Sequence, residues 1–303
     1  MTHRVAAIDL GTNSTRLLVA DVEGGRLHEV ERLLTITRLG DGVDSSGHLS
    51  DAAIERVVAC VQGYAARAKQ LGSEIPLATA TSAVRDAENG DAFLRALEDR
   101  CGVRARKIDG RQEARLTLRG VASGRTIAGP VVVCDIGGGS TELIAGDGDV
   151  ITLAISLDMG CVRMSERHLA SDPPTGGEIS ALRAQVAMML PADVPPADLI
   201  GVAGTVTTLA TIDLGLDREQ PELIDGHRLE RDAVERELAR LAALPLAQRR
   251  EVRGLMPERA ATIIAGAAIL TELMGHLAAS WLEVSERDVL HGAALEAAEI
   301  MAD

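Results

Sequence analysis

A chain of 303 residues can form two domains of ordinary size, each with its own core, and a single small module is excluded. With 46% apolar and 25% charged residues it has the balance of a globular protein and not of a disordered one. The formal charge of -14 argues against a nucleic-acid-binding surface, which needs a basic patch to displace counterions, but leaves open a polyanionic substrate gripped by locally gathered arginines.

Lys69 and Lys107 are the only lysines. Nearly all the positive charge is therefore arginine, the side chain best shaped to hold phosphate oxygens two at a time. The amino-terminal residues reach Asp9 too soon to supply the apolar core of a signal peptide. The most apolar later stretch, 263–270, is broken by Thr271-Glu272 well short of the about 20 residues that span a bilayer. A cytoplasmic protein is expected, with no membrane and no nucleic acid among its partners. Cys60, Cys101, Cys134 and Cys161 stand far apart without paired spacing, which fits buried, reduced thiols and neither a zinc site nor a disulfide framework.

In chain order, an apolar run closes on Asp9, turns through Gly11-Thr12-Asn13-Ser14 and enters a second apolar run, a pattern that predicts strand, tight loop, strand. Helical periodicity over 50–71, with Ser50 as N-cap, predicts the first long helix. A short buried strand follows at 77–80 and a helix at 91–101. Asp109 with Gln112 three residues on predicts a capping box opening a helix over 110–118. Ser-Gly and Gly-Pro punctuation over 122–130 marks a crossing into a second half.

There the opening pattern recurs. Residues 134–147 overlay 8–21 so that the Asp, the first Gly, the Ser-Thr pair, the apolar tail and a closing Asp coincide. Two related halves are expected, 1–125 and 126–286, each opening with a hairpin. In the second half helices are predicted at 177–190, 230–243, 257–279 and 287–301, with a strand leading into 201–205. Alternating strands and helices imply α/β layers, and the last helix, 287–303, is expected to return to complete the first domain.

A phosphate chain is charged along its length, so its site needs inward-pointing backbone amides and glycines that admit close approach. Gly11, Thr12, Asn13 and Ser14 meet this need, as do Gly137, Gly138, Gly139, Ser140 and Thr141. One such loop alone reads equally well as a hairpin turn; the duplication and the flanking aspartates favour a phosphate clamp. Asp9 and Asp135 close their strands just before the loops, where a carboxylate can hold hydrated magnesium against phosphate oxygens. Glu142 stands where the first copy has Arg16, which would give one anion to the metal and one cation to the substrate. The competing reading pairs both side chains on the sheet surface.

The stretches 8–16, 80–87, 108–116 and 135–142 resemble four successive signatures of the exopolyphosphatase and guanosine-pentaphosphatase (Ppx/GppA) family. Residues 38–42, 160–163 and 201–205 resemble its further motifs, so the likeness runs in order along essentially the whole chain. It implies two ribonuclease-H-like, or actin-like, α/β domains with a cleft between them, of the acetate and sugar kinase, heat-shock chaperone and actin superfamily. It also implies an exopolyphosphatase that uses magnesium, with manganese as the other candidate, to release orthophosphate from inorganic polyphosphate.

By the same resemblance Glu113 is the catalytic base. Its place in the first turn of a helix keeps a carboxylate ionised and rigid. Arg85 matches a family arginine that reaches the phosphates, and Arg16 joins it; Arg38, Arg111, Arg115 and Arg163 are weaker candidates. Two departures stand out. Arg111-Gln112-Glu113 lacks the second acid that many members carry beside the base, and the chain lacks the helical region that longer members add, so short polyphosphate is the expected substrate.

Guanosine pentaphosphate is the alternative substrate. Tyr64, Phe93 and Trp281 all lie in apolar, helix-like contexts that suggest core, which favours the linear polymer over a stacked purine. An actin-like ATP-binding protein or a small-molecule kinase would share the hairpins without needing both the Glu113 helix and the 80–87 signature. A homodimer is compatible with the resemblance.

Overall fold

The computed structural model describes residues 2–73, 76–127, 129–147 and 150–302. Met1, Ala128 in the expected crossing and Asp303 at the end of the last expected helix lie outside them. The chain divides into two compact units, Met1–Thr126 with Arg287–Asp303, and Ile127–Glu286.

The first unit runs β1 (His3–Leu10), β2 (Ser14–Glu23), β3 (Arg26–Ile36), α1 (Val43–Ser46), α2 (Asp51–Gln70), β4 (Leu77–Ala80), α3 (Ser82–Asp86), α4 (Gly90–Cys101), β5 (Arg104–Lys107) and α5 (Gly110–Ala122). The second runs β6 (Pro130–Ile136), β7 (Thr141–Asp147), β8 (Val150–Leu157), α6 (Cys161–His168), α7 (Gly176–Met189), β9 (Asp198–Val202), α8 (Ala203–Asp213), α9 (Pro221–Ile224), β10 (Arg228–Glu230), α10 (Arg231–Ala242), α11 (Leu246–Arg249), α12 (Ile263–His276) and β11 (Trp281–Val284). The last helix, α13 (Val289–Ala302), belongs to the first unit.

In the first sheet, β1, β2 and β3 are antiparallel neighbours, while β4 joins β1 and β5 joins β4 in parallel, giving the order β3-β2-β1-β4-β5. The second sheet repeats it as β8-β7-β6-β9-β11 and adds β10 antiparallel at the edge. Each unit is thus an α/β body with the ribonuclease-H-like, actin-like strand order.

Strand alternation decides which side chains meet which helices in the first unit. Ala6, Ile8 and Leu10 of β1 join the core under α2 and α4, whereas Val5 and Ala7 join the core formed with α5 and α13. A strand covered on both faces reads as a continuous apolar run, as β1 does. Among the described residues, a core of the second unit is built on Val132, Cys134 and Ile136 of β6, Leu143 of β7 and the apolar α12.

Sequence and structure agree closely where punctuation is strong. Ser50 Oγ accepts from Ala53 N–H at 3.3 Å, capping α2. Asp109 Oδ1 accepts from Gln112 N–H at 2.8 Å and Gln112 Oε1 from Asp109 N–H at 2.9 Å, which closes the capping box of α5. The helix expected over 257–279 is corrected: a 3-10 turn at Pro257–Arg259 precedes α12, which starts at Ile263. Arg259 is buried there with its guanidinium on Gly204 O, Thr208 Oγ1 and Glu219 Oε1, and this anchoring breaks the run. Trp281 lies on strand β11 and not in a helix, with the Arg228 guanidinium 4.4 Å from its ring centre. Among the described residues no helix is long and apolar enough to cross a membrane.

Candidate functional site

In the first unit the alternation that sends Val5 and Ala7 of β1 and Leu18 and Ala20 of β2 toward α5 and α13 also sends Asp9 and Arg16 that way. Register sets the two directly opposite each other. Arg16 Nε and Nη2 donate to Asp9 Oδ2 at 2.9 and 2.8 Å, and Nη1 donates to Asp288 Oδ2, on the residue that opens α13. Asp9 and Asp288 are both buried.

Burial pushes the Asp9 carboxyl up, against the pull of Arg16, with the Asp288 charge adding to the rise. Burial acts on Asp288 in the same direction, yet Arg16 and His291 together outweigh it and hold that carboxyl well below the usual range. The expectation of Arg16 as a phosphate ligand changes accordingly. Two buried carboxylates share one guanidinium, so the cluster carries no surplus positive charge for a polyanion, and Arg16 holds Asp9 in place instead.

Glu113 is buried in the first turn of α5. Arg85, at the end of α3, donates from Nη1 to Glu113 Oε2 at 2.9 Å and to Ile108 O at 3.2 Å. The structure therefore brings together two of the expected site residues from separate segments. The charged hydrogen bond from Arg85 and the helix amino terminus hold this carboxylate in place at the start of α5.

The two glycine loops close alike. Gly11 N–H donates to Ser14 O and Gly137 N–H to Ser140 O, each at 3.0 Å, so both amides serve the turn and not an incoming phosphate. Each loop is backed by the segment after its third strand. Thr37 and Arg38 N–H donate to Asn13 O and Gly40 N–H to Thr12 O. Likewise Cys161 N–H donates to Gly137 O, and Val162 and Arg163 N–H to Gly138 O. Arg163 Nε adds a bond to Gly139 O at 2.7 Å, so the 160–163 motif shapes the loop. Thr141, expected among the phosphate ligands, is fully buried and donates its hydroxyl to Met159 O. Arg38, Arg111 and Arg115 are exposed.

On the second hairpin register sets Asp135 opposite Glu142. Both are buried, at 5% and 1% exposure, and Ser156 Oγ donates to Glu142 Oε1 at 2.7 Å from the neighbouring strand. The surface pairing of Arg16 and Glu142 is excluded by this burial.

The donor set fits a hard cation. Asp9 Oδ1 is buried and accepts no hydrogen bond among the described residues, a cost of roughly 1–3 kcal/mol that a cation would offset. No group of three or more His, Cys, Asp or Glu side chains is gathered as a closed metal cage among those residues. The bare Asp9 Oδ1 suits a hard cation that prefers oxygen ligands.

Three features escaped the sequence. Asp288, with His291 and Glu29 behind it, has only the signal of an N-cap before a helix. Arg259 sits among plain surface-like sequence. Ala203, in the 201–205 segment, adopts φ 68, a left-handed conformation that an alanine takes only where its surroundings impose it.

Residues 18–299 match the Ppx/GppA phosphatase family. The chain is 39% identical over 315 residues to Exopolyphosphatase 2 of Mycobacterium tuberculosis, covering 97% of this chain and 98% of that one. It superimposes on the crystal structure of an exopolyphosphatase-like protein with a TM-score of 0.92 at 33% identity over 99% of both chains. For an exopolyphosphatase from Cytophaga hutchinsonii the values are 0.87, 25% and 96% of both chains. A match that spans both units and includes the Arg85–Glu113 pair and the second hairpin leaves one conclusion: the chain belongs to the Ppx/GppA phosphatase family.

Proposed function

We propose that the chain is an exopolyphosphatase, a phosphoanhydride hydrolase that removes orthophosphate from the end of inorganic polyphosphate, with short chains as its substrate. The observation that carries this reading is the Arg85–Glu113 pair at the capped start of α5. Glu113 accepts a proton from water as the water oxygen bonds to the terminal phosphorus. The bond from that phosphorus to the bridging oxygen breaks, and the shortened chain leaves with the electron pair.

Terminal phosphate oxygens compete with Glu113 for the Arg85 guanidinium. Substrate binding thereby frees the carboxylate for the proton just when it is needed. The loop residues Thr12 to Ser14 in the first unit, and Gly138 to Ser140 in the second, are each suited to hold phosphate oxygens. Asp9 in the first unit, and Asp135 with Glu142 in the second, are the candidates that would hold magnesium, which when bound neutralises charge on the phosphate oxygens.

Polyphosphate is favoured over guanosine pentaphosphate because Tyr64 and Phe93 are buried and the Trp281 face carries Arg228. The four cysteines are free thiols, which supports action in the reducing cytoplasm.

The test is orthophosphate release with magnesium from short polyphosphate, long polyphosphate, guanosine pentaphosphate and ATP, for wild type and Glu113→Gln. Short polyphosphate should be cleaved fastest, and the variant should lose about 10² to 10⁴-fold in kcat. Turnover of guanosine pentaphosphate alone would move the assignment to that substrate, and ATP binding without any hydrolysis would replace the enzyme with a nucleotide-binding protein.

A further inference from the structure

Asp288 makes two attachments with one side chain. Oδ1 accepts from Leu290 N–H at 3.0 Å, capping α13, and Oδ2 accepts from Arg16. Its main chain makes a third, because α13 meets α5 backbone to backbone. A methyl group added at Gly120 would run into the Asp288 carbonyl, and one at Gly292 into the Leu116 carbonyl. Behind it, His291 accepts at Nδ1 from Asp288 N–H at 3.3 Å and faces Glu29 of β3 through Nε2 at 3.0 Å. A single residue is thus fixed to the helix that carries Glu113 and to the arginine that holds Asp9.

We propose that Asp288 is a positioning residue for the Asp9 carboxylate: by occupying Arg16 Nη1 it keeps the guanidinium on Oδ2 alone and leaves Oδ1 bare for a divalent cation. This rests on the assignment of Asp9 to the metal in the proposed hydrolase. The geometry explains why Oδ1 is buried without a hydrogen bond although an arginine stands beside it. Without the Asp288 charge, the guanidinium is free to close on both Asp9 oxygens in the bidentate fork that such pairs prefer.

Asp288→Asn and Asp288→Ser both retain a side chain able to cap α13. Mn2+ affinity of the intact protein, read without substrate from the loss of the free-ion electron paramagnetic resonance signal, should weaken by about tenfold or more in either variant. The magnesium concentration for half-maximal phosphate release should rise in parallel, while kcat at saturating magnesium stays near wild type. Asp288→Glu, which restores the charge, should recover part of the affinity. His291→Gln loosens the same turn but leaves the Asp288 carboxylate, and should leave Mn2+ affinity at the wild-type value.

Wild-type Mn2+ affinity in folded Asp288→Asn or Asp288→Ser overturns the proposal. So does an equal loss in His291→Gln, which would indicate general loosening, or failure of both Asp288 variants to fold, which would make the residue a folding element only. A wild type that binds no Mn2+ and hydrolyses no polyphosphate would instead remove the hydrolase reading itself.

Discussion

The two hairpins close the same turn at the same 3.0 Å, lean on the same kind of backing segment, and part company at one registered position. The first sets Arg16 opposite Asp9, and the second sets Glu142 opposite Asp135. A basic residue opposite an acid supplies its own counter-charge, and the first hairpin shares the Arg16 guanidinium between Asp9 and Asp288. Asp135 and Glu142 are both buried, and Ser156 Oγ donates to Glu142 Oε1. The two hairpins repeat one scaffold and differ in charge at one registered pair.

Exchanging the distinguishing residues should separate stability from activity most strongly. Arg16→Glu would bury a third carboxylate with Asp9 and Asp288 and remove their shared cation. It should lose about 3–5 kcal/mol in urea unfolding, as removal of one partner from a buried ion pair does. Glu142→Arg, by contrast, places a guanidinium opposite Asp135 in the register that Arg16 already uses, and should lose activity while still folding. An Arg16→Glu variant as stable as wild type would show that the first hairpin does not depend on its charge balance.

A smaller effect separates the backing segments. A methyl group at Gly160 would meet the main chain of Gly138 and Gly139, which cannot rotate away, whereas one at Gly40 would meet side-chain atoms of Thr12 and Ala83. Gly160→Ala should cost about 1–3 kcal/mol and displace the second loop, with a fall in kcat on the order of 10²-fold. Gly40→Ala should cost less in both. Equal effects, measured by thermal melts and phosphate release, would mean that the first loop is as rigidly backed as the second.

What the sequence disclosed and what it hid follow from how local each cause is. The hairpins, the α5 capping box and the α2 cap depend on residues within four positions of one another, and all were legible. The third strand of each sheet was not. β3 carries Glu29, Glu31 and Arg32 and is largely exposed, so its pattern lacks apolar alternation. Glu113 and Arg85 were named from family signatures, but their ion pair joins residues 28 positions apart and follows only from β4 and β5 lying side by side. Asp288 lies 272 positions from Arg16, a separation at which no local pattern operates.

The least expected effect of the charge balance is on pH. His291 is fully buried; burial alone would lower its pKa, but Asp288 and Glu29 outweigh it and raise it above 6.5. Arg16 faces the same cluster through Asp288, and Arg32 and Arg287 act on Glu29, whose carboxyl His291 in turn holds low. Protonation adds a donor at Nδ1, 3.6 Å from Asp288 Oδ1, so that both ring nitrogens meet carboxylates. A raised folded pKa means the native state binds the proton more tightly than the unfolded chain does. The resulting stability is fully present below about pH 6.5, the unfolded value, and is lost as pH rises through the folded one. Wild type should therefore melt above His291→Gln by on the order of 2–4 °C at about pH 5.5, with the gap narrowing as pH rises above the unfolded value. A gap that stays constant or widens with pH would place the proton elsewhere and leave His291 neutral beside Glu29, with the Asp288 charge balanced by Arg16 alone.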